Sequence, residues 1–485
     1  MDALTLFDDF AAGLSGPGAP DRIRAGLIGD GMPVPGPFGA HPLVYADYTA
    51  SGRALMQVED FIRDHVLPWY ANSHTEASWC GAWMTRLRRA ARQVVARATG
   101  ADDDCAVIFA GSGATAGLNR LVHLLGIPAC LAAGGRPLVI LGPYEHHSNI
   151  LPWRESGAEV IEIPEGADGG PCLTTLAQVL DQTADRPLRI GAFSAASNVT
   201  GILTDTVAVG RMLAAQDVRS VWDYAGAGPY VAIDMAGGTD HAKDAVVLSP
   251  HKFIGGPGAS GLLILRRGAV AGDRPSLPGG GTVRFVSPQA HDYTADVVAR
   301  EEAGTPNVIG DIRAALALLV KQAAGQGWLD RRHAELTAAA LDAWGKVPEL
   351  DLLGLPEARR LPIFSFRIRD GRGGFIHHQL FTRMLSDVHG IQARGGCACA
   401  GPYAHRLLSI GEEQSMTLRQ AILSGDELAK PGWVRLNLSA FLTGEKLRFV
   451  LTSVAALARD PGRYAAAYCS DPATARFRAE PGKAA

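Results

Sequence analysis

Between residues 44 and 320, short apolar runs alternate with amphipathic stretches, and this alternation constrains the fold more than any other feature of the chain. "AVIFAG", "PLVILG", "EVIEIP", "LRIGAFSAAS", "SVWDYAG", "AVVLSP" and "GLLILRR" are each about strand length, and most end in Gly, Pro, Ser or Asp. Segments such as "TAGLNRLVHLLG" and "LTTLAQVLDQT" lie between them and carry helical spacing. Strands alternating with helices predict an α/β fold with a mainly parallel central sheet and helices on both faces. In such sheets ligands gather beyond the carboxyl ends of the strands, so the polar residues just after each apolar run matter most.

"AVIF" is followed by "AGSGATAGLNR", in which small residues and Thr115 open a helix, and the first helical N–H groups with the Thr115 hydroxyl suit an anion. "PLVILG" leads to "PYEHHSNI", with His146 and His147 adjacent. Asn198 follows "GAFSAAS", Asp223 follows "SVW", and Ser249, His251 and Lys252 follow "AVVL". Singly, each has a plain structural reading: a helix cap, an interior histidine, an exposed strand end. Together, a phosphate turn, a ring-sized histidine, an acid and a lysine at one sheet edge are the parts needed to hold pyridoxal phosphate. The lysine would form the Schiff base, the acid would keep the pyridine nitrogen protonated, and the glycine turn would bind the phosphate. Desolvation and the neighbouring cationic ring would favour the unprotonated amine that such chemistry requires.

After "DIRAALALLVKQAAGQGW" the pattern changes to helices and shorter strands, "IFSFRI" and "WVRLNLSAF" among them. This predicts an N-terminal extension packing with the small domain over 1–43, a large domain over 44–320, a small α+β domain over 321–468 and a tail over 469–485. Residues 11–40, rich in Gly and Pro, read as irregular chain. The basic run "RLRRAARQVVAR" reads as the solvated face of a helix whose apolar face carries Leu87, Ala90, Ala91, Val94 and Val95.

With 47% hydrophobic residues the chain can bury a large core, and a net charge of −3 argues against a nucleic-acid partner. No membrane partner is expected, because no run of about 18 apolar residues occurs. The acidic start "MDALTLFDDFAAG" lacks a secretory signal, which points to a cytoplasmic protein. Seven scattered cysteines make a poor disulfide framework, and "CAC" at 397–399 lacks a second ligand cluster, so no metal is expected and at least one thiol is free.

"YADYTASGR", "ANSHTEAS", "SGATAGLN", "EHHSNILPW", "SNVTGI", "WDYAGA", "SPHKFIGGPGASG", "EEAGTPNV", "ARGGCACAGP" and "VRLNLSAF" occur in the order and approximate spacing of the class V aminotransferase family. The chain resembles its cysteine desulfurases and selenocysteine lyases most closely, over about residues 44 to 450. The resemblance implies fold type I of the pyridoxal-phosphate enzymes, with large and small domains, and a homodimer with active sites at the subunit interface. It implies Lys252 as the Schiff-base lysine, Asp223 as partner of the pyridinium nitrogen, and His146 stacked on the ring and assisting proton transfer. Ala114, Thr115, Ser249 and His251 would hold the phosphate, with Thr305 reaching the phosphate of the neighbouring subunit. Asn198 would lie near the cofactor's phenolic oxygen and the substrate. Arg435 would grip the substrate carboxylate, a task that suits its planar fork, with Arg394 as an accessory. Cys399, five residues after Arg394, stands where the resembling desulfurases carry the nucleophile.

The expected reaction converts L-cysteine, or selenocysteine, to L-alanine and leaves a persulfide on Cys399 for a sulfur-acceptor protein. The thiolate is the reactive form, so its site should be partly exposed and electropositive. Gly226 replaces the Gln or His usual three residues after the aspartate, residues 400–434 form a helical insert, and Cys397 and Ala398 stand where histidines are common. Two alternatives follow: another reaction on the same fold, such as cystine C–S lysis, epimerisation or α,β-elimination, and a cofactor-binding scaffold without catalysis.

Overall fold

The structure, a computed structural model, describes residues 2–72 and 75–480. Ser73 and His74 of the "ANSHTEAS" motif lie outside the described residues. The chain divides into two compact units, the larger comprising Met1–Ile28, Ser51–Ala196 and Thr204–Leu329, the smaller Gly29–Ala50, Ser197–Leu203 and Asp330–Ala485.

The larger unit is built on a seven-stranded sheet. Its strands are β1 (Cys105–Gly111), β2 (Leu138–Leu141), β3 (Glu159–Glu162), β4 (Arg189–Ser194), β5 (Arg219–Asp223), β6 (Ala245–Leu248) and β7 (Gly261–Arg266). They lie in the spatial order β1-β7-β6-β5-β4-β2-β3. The ladders joining β2 to β3, β2 to β4, β4 to β5 and β5 to β6 are parallel. Strand β7 is antiparallel to both of its neighbours, a direction that apolar periodicity does not encode. The connection agrees with that direction: the 249–260 link carries one 3-10 turn, Pro250–Lys252, and no α-helix to make the crossover of a parallel return. All of β2, β4 and β6 is buried, as expected for strands covered on both faces.

Helix α1 (Ala3–Leu14) starts at Asp2, whose carboxylate caps the Thr5 N–H, and buries Phe7 and Leu14. The Phe7 ring lies 5.4 Å from that of Phe61. Met1–Ile28 therefore belongs with the larger unit, and only residues 29–43 of the expected extension belong with the smaller, within Gly29–Ala50. The Gly/Pro-rich segment is also more ordered than its composition implies. Pro20 stands in the first turn of a helix over Ala19–Ala25, where its missing N–H costs nothing, and Pro33–Gly36 pairs with Gly39–Pro42.

Helix α2 (Trp79–Ala98) buries Leu87, Ala90, Ala91, Val94 and Val95, the face the sequence marks. Its basic residues are not all solvated, however. Arg88 donates to Asp311 at 2.6 Å and Arg92 to Glu302 at 2.8 Å, and the two arginine side chains are only 15% and 22% exposed. Glu302 also accepts the Phe109 N–H at 2.8 Å, tying this ion cluster to β1.

The smaller unit carries a sheet in the order β8 (Leu350–Leu352), β9 (Ile363–Arg369), β12 (Trp433–Asn437), β11 (Arg394–Gly396), with β10 (Phe375–Ile376) pairing β9. Phe364, Phe366, Trp344 and Phe381 fill its core, the Trp344 and Phe364 rings meeting edge to face at 5.2 Å. Within 400–434 the helical reading holds over Gly401–Leu407 and Glu412–Leu423, and the stretch ends where β12 begins. The expected tail over 469–485 carries structure: Tyr468–Asp471 and Arg476–Ala479 form an antiparallel hairpin, in which Thr474 and Ala473 bond to Asp471 and close the turn. Residues 481–485 of that tail lie outside the described residues. Among the described residues no helix is long and apolar enough to cross a membrane.

Candidate active site

In the larger unit the carboxyl ends of β1, β2, β4, β5 and β6 point to one edge of the sheet, and the singled-out residues follow those ends. Ser112 caps helix α3 (Gly113–Leu124) without a side-chain hydrogen bond. The positive end of this helix is thus not satisfied by its own cap residue, which suits an anion. The Ala114 N–H donates to the Ser249 hydroxyl at 2.9 Å, joining the turn after β1 to the turn after β6. Gly113 has φ +61°, and a Cβ built there would lie 3.0 Å from both Ser249 Oγ and His251 Cε1. The glycine is required for conformation and for space.

Thr115 Oγ1 lies 2.7 Å from Ser148 Oγ, and Ser148 Oγ lies 3.1 Å from His146 Nδ1. The Ser148 backbone N–H also donates to His146 Nδ1 at 3.1 Å, so a neutral His146 carries its proton on Nε2. Asp223, 4% exposed, accepts the Ala225 N–H at 2.7 Å. Burial pushes its carboxyl above the usual range, while the Ala225 N–H and the Lys252 charge pull it back. Lys252 and Asp223 are therefore electrostatic neighbours. Burial, reinforced by the Lys252 charge, pushes His251 down to about 4, so its ring is neutral at pH 7. Thr305 is exposed on the loop leading into helix α4 (Val308–Ala324).

One participant in this region is not among the sequence candidates. Glu145 is 3% exposed, and it accepts from Ser194 N at 2.8 Å, Ser194 Oγ at 2.6 Å and Asn149 Nδ2 at 2.6 Å. Asn149 in turn accepts from Trp153 Nε1 at 3.0 Å. Burial pushes Glu145 up to about 7, against the pull of its Ser194 and Asn149 hydrogen bonds. Since Ser194 is the β-ladder partner of Asp223, this network braces both the start of the His146 turn and the strand beside the acid.

In the smaller unit, Arg394 and Arg435 face each other across the β11–β12 ladder. Arg435 is 3% exposed and donates from Nη1 to the Asn198 carbonyl at 3.1 Å and from Nη2 to Asp47 Oδ1 at 3.0 Å. Arg394 Nε donates to Asp47 Oδ2 at 3.1 Å. Asn198 Nδ2 donates to the Ala398 carbonyl at 2.9 Å, and its Oδ1 is buried with no hydrogen-bond partner among the described residues. Ala398 and Cys399 have φ of +52° and +56°, and the Ala400 N–H bonds to the Cys397 carbonyl at 3.2 Å. This is a tight turn with both central residues left-handed, an unfavourable state for side chains bearing a Cβ. Cys399 is exposed and Cys397 half-buried. A hydrogen-bonded chain thus runs from Arg394 through Asp47, Arg435 and Asn198 to the turn that carries Cys399. Asp47 has no local signal; its partners lie 347 and 388 positions away in sequence.

These features define an α/β protein with a glycine-bearing strand-to-helix turn whose helix start has no side-chain cap, a lysine beside a buried acid, and an arginine pair linked through Asn198 to the turn that carries an exposed thiol. The family profile described as Aminotransferase class-V matches residues 44–422, and the chain belongs to that family. A "Probable cysteine desulfurase" of Staphylococcus aureus strain N315 is 28% identical over 366 residues, covering 74% of this chain and 84% of the relative. A protein of the same description from Staphylococcus epidermidis is 29% identical over 367 residues, with the same coverage of 74% and 84%. Among solved structures, the apo cysteine desulfurase from Thermococcus onnurineus NA1 matches with a TM-score of 0.73 and 21% identity, over 91% of this chain and 98% of that one. The cysteine desulfurase CsdA from Escherichia coli matches with a TM-score of 0.70 and 22% identity, over the same 91% and 98%. At these identities the solved structures speak for the fold.

Proposed function

We propose that the protein is a pyridoxal-phosphate-dependent cysteine desulfurase that moves sulfur from L-cysteine to Cys399 and releases L-alanine. The observation that carries this reading is the coupling of an exposed thiol, on a left-handed turn, to a buried arginine through Asn198. The kinship with probable cysteine desulfurases favours the same activity.

The residues of the larger unit fit the cofactor. The tight turn at Gly113, the Ser249 hydroxyl and the start of α3 suit its phosphate, and buried Asp223 suits a protonated pyridine nitrogen. Bound there, the cofactor supplies an electron sink that allows a proton to leave the substrate Cα. Lys252 would anchor it and carry that proton. His146 would cover the ring and offer its Nε2 proton. Arg435 and Arg394 would hold the substrate carboxylate, and the vacant Asn198 Oδ1 acceptor suits a donor on the ligand. Cys399, as thiolate, would attack the substrate sulfur: one S–S bond forms as one C–S bond breaks, and the electron pair stays with the three-carbon fragment that becomes alanine. No external oxidant or reductant is needed. The same reading takes the enzyme as a cytoplasmic homodimer that hands its persulfide sulfur to an acceptor protein, and admits selenocysteine as a substrate.

The test is incubation of the holoenzyme with L-cysteine, assaying alanine, pyruvate and the mass of the Cys399 peptide. Alanine matched by a persulfide on Cys399, both lost in Cys399→Ala, is the expected result. Pyruvate and ammonia in place of alanine would establish elimination instead. A visible cofactor band that survives unchanged in Lys252→Ala would overturn the anchoring role.

A further inference from the structure

The geometry points to Asp47 as the residue that sets the charge of the substrate site; we infer that it makes the protein select amino acids with one carboxylate over those whose side chain is a second acid. This inference rests on the proposed role of Arg435 and Arg394 as the carboxylate grip.

Asp47 is fixed by backbone on its N-terminal side. Val44 and Tyr45 pair in parallel with Ile391 and Gln392, and Ala46 both donates to the Gln392 carbonyl at 2.9 Å and accepts the Asn437 N–H at 2.9 Å. Its carboxylate, whose side chain is 13% exposed, is thereby delivered between two arginines. Each oxygen serves a different guanidinium, Oδ1 that of Arg435 at 3.0 Å and Oδ2 that of Arg394 at 3.1 Å. Because Arg394 and Arg435 are direct cross-strand partners, they would repel without an anion between them. Asp47 supplies that anion from within the chain.

Two arginines and one aspartate leave a formal charge of +1. An amino acid with a single carboxylate brings the cluster to neutrality, whereas one with an acidic side chain drives it net negative. Asp47 thus positions the two guanidiniums and lowers the affinity for dianionic ligands. Arg435 is the buried member, while the Arg394 side chain is 49% exposed and can be altered with little risk to the fold.

The experiment measures, on the full-length holoenzyme by calorimetric titration, the dissociation constants of L-alanine and L-aspartate. In Asp47→Asn, where the cluster becomes +2, the preference for L-alanine over L-aspartate should fall about tenfold, the scale of one unit charge acting over a few ångströms in a partly solvated site. Asp47→Glu should restore it. Arg394→Gln, which sets the cluster to zero, should move the preference about tenfold the other way. Equal weakening of both ligands in Asp47→Asn, or an unmoved ratio in Arg394→Gln, would reduce Asp47 to a structural brace and overturn the inference. If the wild-type protein bound neither amino acid, and Arg435→Ala changed nothing, the assignment of the arginine grip itself would fall instead.

Discussion

The Asn198 side-chain amide donates to the Ala398 carbonyl at 2.9 Å, while the Asn198 carbonyl accepts from Arg435. One residue thus ties the cysteine turn to the arginine proposed for the substrate carboxylate. Asn198→Ala removes the hydrogen bond to the turn and leaves the backbone contact to Arg435 in place. The persulfide-forming rate should fall by about tenfold or more, consistent with loss of roughly 1–2 kcal/mol of positioning by a buried hydrogen bond. Alkylation of Cys399 by iodoacetamide should not slow, because the thiol stays exposed. Unchanged single-turnover rates would contradict the coupling.

The left-handed pair Ala398 and Cys399 makes a separate prediction. Glycine at 398 relieves a strain of about 1–2 kcal/mol. It also increases the conformational freedom of the unfolded chain, a cost of about 0.4–1 kcal/mol. Ala398→Gly should therefore leave the melting temperature within a degree or two while slowing sulfur transfer, because the turn now samples other shapes. A parallel loss of stability and activity would show that the strain is not local.

Gly113 lies where a phosphate turn tolerates least. Gly113→Ala puts a Cβ at 3.0 Å from the Ser249 hydroxyl and from the His251 ring, at a φ of +61°. Both neighbours are side chains and can shift by tenths of an ångström, so the fold should survive with a loss of about 1–2 kcal/mol. Pyridoxal phosphate affinity, followed by absorbance during dialysis, should weaken about tenfold or more. Retained affinity would remove Gly113, Ser249 and His251 from the phosphate site.

Much of this was legible in the sequence, for physical reasons. The strands of the large sheet announce themselves because burial on both faces demands continuous apolar runs, and their carboxyl ends locate the polar residues that matter. Direction is not written in such runs, so β7 needed the structure, although the helix-free 249–260 link carries the hint. Within residues 11–40 glycine and proline mask the helix over Ala19–Ala25, while ahead of it the Asp2 cap and the burial of Phe7 and Leu14 decide helix α1. Asp47 and Glu145 were missed for different reasons. Asp47 acts only through partners brought to it by the sheet, and Glu145 stands beside two histidines that draw the chemical argument away from it. The terminal hairpin, with its alternating polar residues, has too little apolar content to register as strands.

Glu145 and His251 make opposing demands on stability as pH changes. Burial raises Glu145 from its ordinary 4.5 to about 7, so the folded chain holds a proton that the unfolded chain has released. That contribution is full below pH 4.5 and is lost as pH rises through 7; Asp223, also raised by burial, acts in the same sense. Burial and the Lys252 charge lower His251 from 6.5 to about 4, so its contribution is full above pH 6.5 and is lost as pH falls through 4. Over the shared window the two slopes have opposite signs, and His378, lowered to about 3 by burial, adds to that of His251. Urea unfolding between pH 5 and pH 8 should therefore show a steeper rise of stability with pH in Glu145→Gln than in the wild type. In His251→Asn the rise should instead be shallower than in the wild type, because His147, His377, His378 and His389, all lowered by burial, still contribute in the same sense as His251. The slope is the diagnostic, because Glu145→Gln also places an amide donor against Asn149 and lowers stability at every pH. Parallel profiles for Glu145→Gln and the wild type would mean that Glu145 is already ionised in the folded protein at pH 5.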